Sequence, residues 1–269
     1  MASFLAAAIQ MNSQPDLDHN LDRARHLINQ AADKGATLIG LPENFAFLGD
    51  EPERLRLAGE ISEAVETALQ SWSAEFGVHL LAGGYPVRAA KDKVFNRAVL
   101  VNPNGKFISR YDKIHLFDVE LSEKESYRES EWVRPGELQP VVCNVPNLTK
   151  IGLSICYDVR FPELYRKLTE LGARVLTVPS AFTRPTGEAH WEVLLRARAI
   201  ENTAYVFAPA QTGKHGRKRT TYGYALIADP WGTVLADAGT EPGVALAEID
   251  LGRLESIRKK LPSLSHRVL

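Results

Sequence analysis

The sequence predicts an α/β protein folded as one domain, with strands covered by helices. Three observations predict it. Short apolar runs alternate with longer stretches whose apolar residues recur every three or four positions. No repeat, low-complexity tract or obvious linker divides the 269 residues. The composition, 45% hydrophobic and 24% charged, suits a chain that buries a large core.

The elements follow in order. "FLAAAIQM" (4–11) is apolar and short. It lacks the basic flank and longer apolar core of a secretory signal, so it reads as a buried strand. In "LDHNLDRARHLINQAADKG" (17–35), Leu17, Leu21, Ala24 and Ile28 share a helical face, and Gly35 is the stop. "ATLIGLPE" (36–43) is a second buried strand, 60–76 a helix and "VHLLAGGYP" (78–86) a strand. "NRAVLVNPNGKFISRYD" (96–112) is a hairpin turning at Asn102–Gly105. A polar loop and the apolar strand "QPVVCNV" (139–145) lead to the strand "IGLSI" (151–155). The helix "FPELYRKLTELG" (161–172) opens with a well-placed proline. "ARVLTVPSA" (173–181) is a strand and "EAHWEVLLRARAIENT" (188–203) a long helix. "AYVFAPAQ" (204–211), "TYGYALIADPWGTVLADAG" (221–239) and "GVALAEID" (243–250) are strand regions, with a turn at Asp229–Gly232.

On the long helix, Trp191, Leu194, Leu195 and Arg198 share one side. A partly buried Arg198 needs an acidic partner, and a structural ion pair is the expectation. Glu192 and Arg196 form an i,i+4 surface pair worth a few tenths of a kcal/mol.

The formal net charge of −1, with both signs mixed along the chain, offers no strong field for nucleic acid or an anionic membrane. No apolar stretch is long enough to cross a bilayer. Two cysteines, Cys143 and Cys156, make no disulfide framework and lack zinc-site spacing, which points to a reducing, cytoplasmic setting. Cys143, in an apolar strand, reads as core.

Ligands of α/β sheets gather at the carboxyl ends of strands. Glu43, Lys113 and Cys156 each stand just past a predicted strand. A cysteine on a strand-to-helix turn can be presented on a sharp bend, its thiolate favoured by nearby N–H groups. Taken singly, each has an ordinary reading: a buried inert thiol, a solvated or capping glutamate, a lysine facing water. His115 and His190 are rival bases for the thiol. Position alone leaves the choice open.

The surrounding residues decide it. "LPENFAF" (41–47), "YDKIHLFDVEL" (111–121), "CYDVRFPEL" (156–164) and "AHWEVLLRARAIEN" (189–202) together resemble the nitrilase superfamily of carbon–nitrogen hydrolases, in that family's order and over nearly the whole chain. The resemblance implies a four-layer α-β-β-α sandwich of the nitrilase/carbon–nitrogen hydrolase type, paired through its helices into a homodimer or higher homo-oligomer. It places the family's Glu–Lys–Cys triad on Glu43, Lys113 and Cys156, with Glu129 supporting the lysine. The implied chemistry is amide hydrolysis through a cysteine thioester. Glu43, its pKa raised by a dry pocket, takes the thiol proton. Lys113 and the backbone N–H of Tyr157 hold the oxyanion. No metal or organic cofactor enters this scheme. Both histidines are then structural, with His190 capping or hydrogen-bonding near the site.

Nitrilases proper usually carry Trp after the cysteine; Tyr157 here turns the expectation from nitriles to amides. Arg160 matches an arginine that grips a substrate acid group in the amidase branch, and Phe182 and Thr186 match other substrate contacts. The plain alternative for Arg160 is an ion pair with Asp158 or Glu163. "SAFTRPTGEAHWEVLLRARAIE" (180–201) and "APAQTGKHGRKRTTYGYALIADPWGTV" (208–234) are most similar to the deaminated-glutathione amidase branch, implying a small anionic amide as substrate and 2-oxoglutarate and cysteinylglycine as products. The ω-amidases of 2-oxo-acid amides and the N-carbamoyl-amino-acid hydrolases are neighbouring readings, and an idle binding protein on the same fold is the non-enzymatic one. "LSEKESYRES" (121–130) departs from the Pro/Gly-rich loop of these branches and lines the expected entrance. The basic run "KHGRKR" (214–219) reads first as a solvated loop, then as an attractor of an anionic substrate, and third, being isolated in a near-neutral chain, as a nucleic-acid contact.

Overall fold

The computed structural model describes residues 3–122, 125–216 and 219–268. Along the chain run β1 (Ser3–Met11), α1 (Leu17–Asp33), β2 (Leu38–Leu41), α2 (Glu51–Arg56), α3 (Ala58–Phe76), β3 (His79–Arg88), β4 (Val94–Val101) and β5 (Phe107–Asp112). A small hairpin, β6 (Asp118–Ser122) and β7 (Glu125–Arg128), precedes β8 (Val141–Asn144), β9 (Lys150–Leu153), α4 (Pro162–Glu170), β10 (Val175–Thr177), α5 (Arg184–Asn202) and β11 (Tyr205–Ala208). The last elements are β12 (Ala210–His215), β13 (Arg219–Tyr222), β14 (Leu226–Ala228), β15 (Val234–Asp237), β16 (Gly243–Asp250) and α6 (Leu251–Lys260).

Two sheets form. The first has the order β13-β12-β1-β2-β3-β4-β5, with β16 antiparallel to β1; the second has the order β15-β14-β11-β10-β9-β8. Strand alternation builds the layers. In β1, Ala7, Ile9 and Met11 pack with Ala24, Leu27 and Ile28 of α1 and Ile61, Val65 and Leu69 of α3. Ala6 and Ala8 turn the other way, into a cluster holding Leu153, Leu176 and Phe207 of the second sheet and Leu164, Trp191 and Leu195 of α4 and α5. The result is the expected α-β-β-α sandwich. The sheets meet closely: a Cβ on Gly40 would lie 2.3 Å from the Phe207 ring.

Several elements differ from the sequence reading. "AYVFAPAQ" is two strands in different sheets, because Pro209 has no N–H to continue a ladder and the chain crosses there from β11 to β12. The polar loop after Lys113 contains the β6–β7 hairpin, whose alternating charges hide its pairing. The long helix starts earlier, at Arg184, with Pro185 in its first turn. Helices α2 and α6 went unread. As expected, Arg198 is buried and pairs with Glu201 at 2.8 Å, and the hairpin turn closes through Gly105 N to Asn102 O. Glu192 and Arg196 meet at 3.2 Å on the surface. Cys143 is buried, its Sγ 3.7 Å from the Ile108 carbonyl. Among the described residues no helix is long and apolar enough to cross a membrane.

Candidate active site

Glu43 follows β2 and is 2% exposed. Its Oε1 accepts from Asn96 Nδ2 at 2.9 Å and Lys113 Nζ at 3.1 Å; Oε2 accepts from the Ala181 N–H at 3.0 Å. The space for this carboxylate comes from Gly84, at φ +79°, inside a β-bulge of β3. A Cβ there would lie 2.5 Å from Asn96 Oδ1 and 3.0 Å from Glu43 Cγ, so a side chain would collide with the site.

Lys113 leaves the end of β5, its N–H bound to the Asn96 carbonyl at 2.9 Å. Its ammonium, 2% exposed, donates to both Glu129 oxygens at 3.1 and 2.9 Å as well as to Glu43. Glu129 is fixed in turn by the Phe117 N–H at 2.6 Å and by Asn96 Nδ2 at 3.3 Å. One ammonium thus joins two carboxylates, the arrangement that lets buried charges persist.

Cys156 opens a single 3₁₀ turn, Cys156–Arg160, three residues past β9. Its φ is +48°, a left-handed conformation unusual for a side chain larger than glycine and costing on the order of 1–3 kcal/mol. Surrounding bonds hold it there. Its own N–H donates to the Pro179 carbonyl at 3.0 Å, and Ile155 N–H donates to Asp158 at 2.8 Å. Asp158, fully buried, also accepts from the Tyr111 hydroxyl at 2.6 Å, the His115 N–H at 3.2 Å and His115 Nδ1 at 2.7 Å. The thiol lines the same cavity as the Glu43 carboxylate, near enough for each to act on the other's charge state.

The electrostatics correct two expectations. Burial does push Glu43 up, but Lys113, Arg219 and hydrogen bonds from Cys156 and Lys113 outweigh it and hold the carboxyl below its ordinary range. The dry pocket therefore does not raise Glu43; it leaves an ionised carboxylate. Cys156 moves the other way: burial and then the Glu43 charge push its thiol well up, against the pull of Lys113 and the Ala181 N–H. The resting sulfur is a thiol, not the thiolate that its turn suggested. For Lys113, burial alone would favour the neutral amine, but the Glu129 and Glu43 carboxylates hold it charged.

These groups line a cavity of about 450 Å³. Arg160 also lines it, 5.2 Å from the Phe182 ring and 5.7 Å from the Tyr157 ring, with Nη1 3.2 Å from His190 Nδ1. The ion pair with Asp158 considered for Arg160 does not form, since Asp158 is committed to Tyr111, Ile155 and His115. Phe182, against Trp191, and Thr186, hydrogen-bonded to Thr183 at 2.8 Å, reach the same wall. His115 stacks on Phe161 at 3.7 Å and binds Asp158, a supporting place rather than that of a base. In the entrance segment Ser126, Tyr127 and Arg128 line the cavity, while 123 and 124 lie outside the described residues.

Asn96, Asp158, Arg54 and Arg219 were missed or under-read. Asn96 offered a signal, a polar residue inside an apolar strand. Arg219 ends the basic run read as a solvated loop; it instead lines the cavity and donates to the Ala181 carbonyl at 3.2 Å. His215 in that run is buried between the Ser13 carbonyl and Thr221, and 217 and 218 lie outside the described residues.

A sulfur, a carboxylate and an ammonium thus meet in one cavity at strand ends of an α-β-β-α sandwich, and fold and site together are of a hydrolase class. The chain belongs to the carbon–nitrogen hydrolase family, whose model matches residues 5–259, and is a carbon–nitrogen hydrolase of the nitrilase superfamily. It is 54% identical to the deaminated glutathione amidase of a Synechocystis strain over 100% of this chain and 99% of that one. It is 42% identical to the human enzyme of that name over 98% of this chain and 82% of that one. The fold matches the nitrilase–fragile-histidine-triad fusion protein NitFhit of Caenorhabditis elegans with a TM-score of 0.94 at 38% identity, covering 100% of this chain and 66% of that one. It matches an amidase from Nesterenkonia sp., solved with acrylamide added to its active-site cysteine, with a TM-score of 0.82 at 26% identity, covering 96% of this chain and 98% of that one.

Proposed function

We propose that the protein hydrolyses deaminated glutathione to 2-oxoglutarate and cysteinylglycine, with Cys156 as nucleophile, Glu43 as base and Lys113 as oxyanion donor. The observation that carries this reading is the Glu43 carboxylate, bonded to the Lys113 ammonium at 3.1 Å inside a cavity that the Cys156 thiol and Arg160 also line. A pocket of this volume is of small-molecule size.

The steps follow from the charges. Glu43, already ionised, takes the thiol proton as sulfur attacks the amide carbonyl, so no free thiolate accumulates. The oxyanion is met by Lys113 and the Tyr157 N–H. Glu43 returns its proton to the departing amine, leaving a thioester on Cys156. A water that gives its proton to Glu43 attacks the thioester, and the proton passes back to the sulfur as the carboxylate leaves. Glu129 keeps Lys113 charged and aimed. Arg160 holds the 2-oxo-acid carboxylate as a planar fork, beside Phe182 and Thr186.

A homodimer paired through helices accompanies this reading. Val193 and Ile200 on α5 and the neighbouring Trp231 and Leu235 are exposed apolar side chains of the kind that interfaces cover. Sedimentation of the protein and of Val193→Glu tests it. A reducing, cytoplasmic setting suits the free thiols.

Turnover of deaminated glutathione, 2-oxoglutaramate and an N-carbamoyl amino acid, measured side by side, tests the assignment. The first is expected to be hydrolysed most efficiently. Preference for the second or third would move the protein to the ω-amidases or the carbamoyl hydrolases, and turnover of none would make it a binding protein.

A further inference from the structure

The cavity carries more cationic groups than one carboxylate needs. Arg160 stands on the wall formed by the second sheet, with Tyr157, Phe182 and the nucleophile. Arg54 and Arg219 come from elements of the first sheet's side, α2 and the start of β13. Arg54 is only 4% exposed, and its Nη1 pairs with Glu51 at 3.1 Å, while its Nε and Nη2 have no protein partner. Arg219 donates one N–H to the Ala181 carbonyl and stacks 5.8 Å from the Tyr127 ring, yet its buried Nε has none either. Beside them Asn44, 6% exposed, keeps a buried Oδ1 without a donor. Buried donors and acceptors normally find partners, so polar groups left over around a cavity mark where a ligand's polar groups fit.

The direction of the chemistry orders these groups. With the acyl chain held by Arg160 and its carbonyl carbon on Cys156, the departing amine must lie on Glu43's side, where it is protonated. Arg219 donates to the carbonyl of Ala181, the residue whose N–H binds Glu43, so it stands on that side too.

We infer that Arg54 and Arg219 form a second carboxylate subsite, on the leaving-amine side of the scissile bond, which selects amides whose amine is an amino acid or short peptide with a free carboxylate. Asn44 Oδ1 is the acceptor for an N–H of that amine portion. The inference rests on the amidase reading above and adds a discriminating element: a 2-oxo-acid amide that releases ammonia leaves the subsite unused.

Two amides with the same 2-oxoglutaryl group test it, one made with glycine and one with glycinamide, so that only the far carboxylate differs. Calorimetry on the Cys156→Ala protein gives both affinities without turnover. The glycine amide is expected to bind about tenfold more tightly or better, and Arg219→Gln or Arg54→Gln in that background shrinks the gap to about threefold or less, with Arg219→Lys keeping most of it. Equal affinities in the parent, or variants that weaken both amides alike as a general effect on Glu43 would, overturn the subsite. Should Arg54→Gln fail to fold, the parent's affinity gap and the Arg219 variants decide. Wild-type turnover of the same pair is a separate readout: binding with a clear gap but no hydrolysis would sink the substrate assignment and leave the subsite standing.

Discussion

The Asp158 carboxylate accepts a 2.6 Å hydrogen bond from the Tyr111 hydroxyl, and this contact ties the turn of Cys156 to the strand that delivers Lys113. Tyr111 is two residues before Lys113, His115 two after, and both donate to Asp158. On the other side Asp158 anchors Ile155, next to the sulfur. Cys156 and Lys113 come from different sheets, and this one buried side chain spans the seam.

Asp158→Asn therefore tests how the site is assembled. The amide has one acceptor oxygen where the carboxylate has two, and each Asp158 oxygen accepts from two donors, so two donors lose their partner, at about 1–3 kcal/mol each. For a chain of this size that lowers Tm by roughly 2–4 °C per kcal/mol. In steady-state kinetics kcat falls more than KM rises, because the reacting groups shift while the binding wall stays. An unchanged Tm together with unchanged kcat would remove Asp158 from this role.

The charge states of Glu43 and Cys156 predict a pH profile. Glu43 has a lowered pKa, so its contribution to stability is present above its ordinary 4.5 and lost as pH falls below it. Cys156 has a raised one, so its contribution is present below its ordinary 9.0 and lost as pH rises past it. Between these limits both groups keep their working forms, and kcat/KM is expected to be flat from about pH 5 to about pH 8. An acid limb titrating near pH 6–7 would instead indicate a histidine base, about where imidazole ordinarily titrates. The same pairing predicts that iodoacetamide alkylates Cys156 no faster at neutral pH than an ordinary thiol, and that substrate protects it; rapid labelling like that of a low-pKa thiolate would contradict the protonated resting state.

The sequence made parts of this legible and hid others for physical reasons. Glu43, Lys113 and Cys156 were visible because strand ends collect ligands and because the surrounding blocks resemble a known family. Asp158 was read only as an alternative ion-pair partner for Arg160, since its partners Tyr111 and His115 lie more than forty positions away and only the sheet-to-sheet packing joins them. The crossover at Pro209 was hidden because both halves of "AYVFAPAQ" are equally apolar, and a buried run does not say which sheet it joins. The charge on Glu43 was misjudged because burial was weighed without the opposing charges of Lys113 and of Arg219, whose approach depends on β13. Arg219 itself looked like part of a solvated run because its neighbours in sequence are basic.

Arg160 makes a prediction about affinity. Its guanidinium lies near the Tyr157 and Phe182 rings and meets His190, and a planar fork held in this way suits a carboxylate. Arg160→Ala removes one charge-assisted contact, worth about 1.5–3 kcal/mol, so kcat/KM for a 2-oxo-acid amide should drop about 10- to 100-fold. Amides of uncharged acids should lose much less. A uniform loss across both substrate types would assign Arg160 to the support of its turn.

The central claim is a covalent bond between Cys156 and the acyl half of the substrate. Rapid acid quenching during turnover, followed by mass spectrometry of the peptides, measures it directly. The account predicts a 2-oxoglutaryl increment on the peptide containing Cys156, absent from the Cys156→Ala protein, which should be inactive. A Cys156→Ala protein that still turns over, or an increment found on another residue, would contradict it.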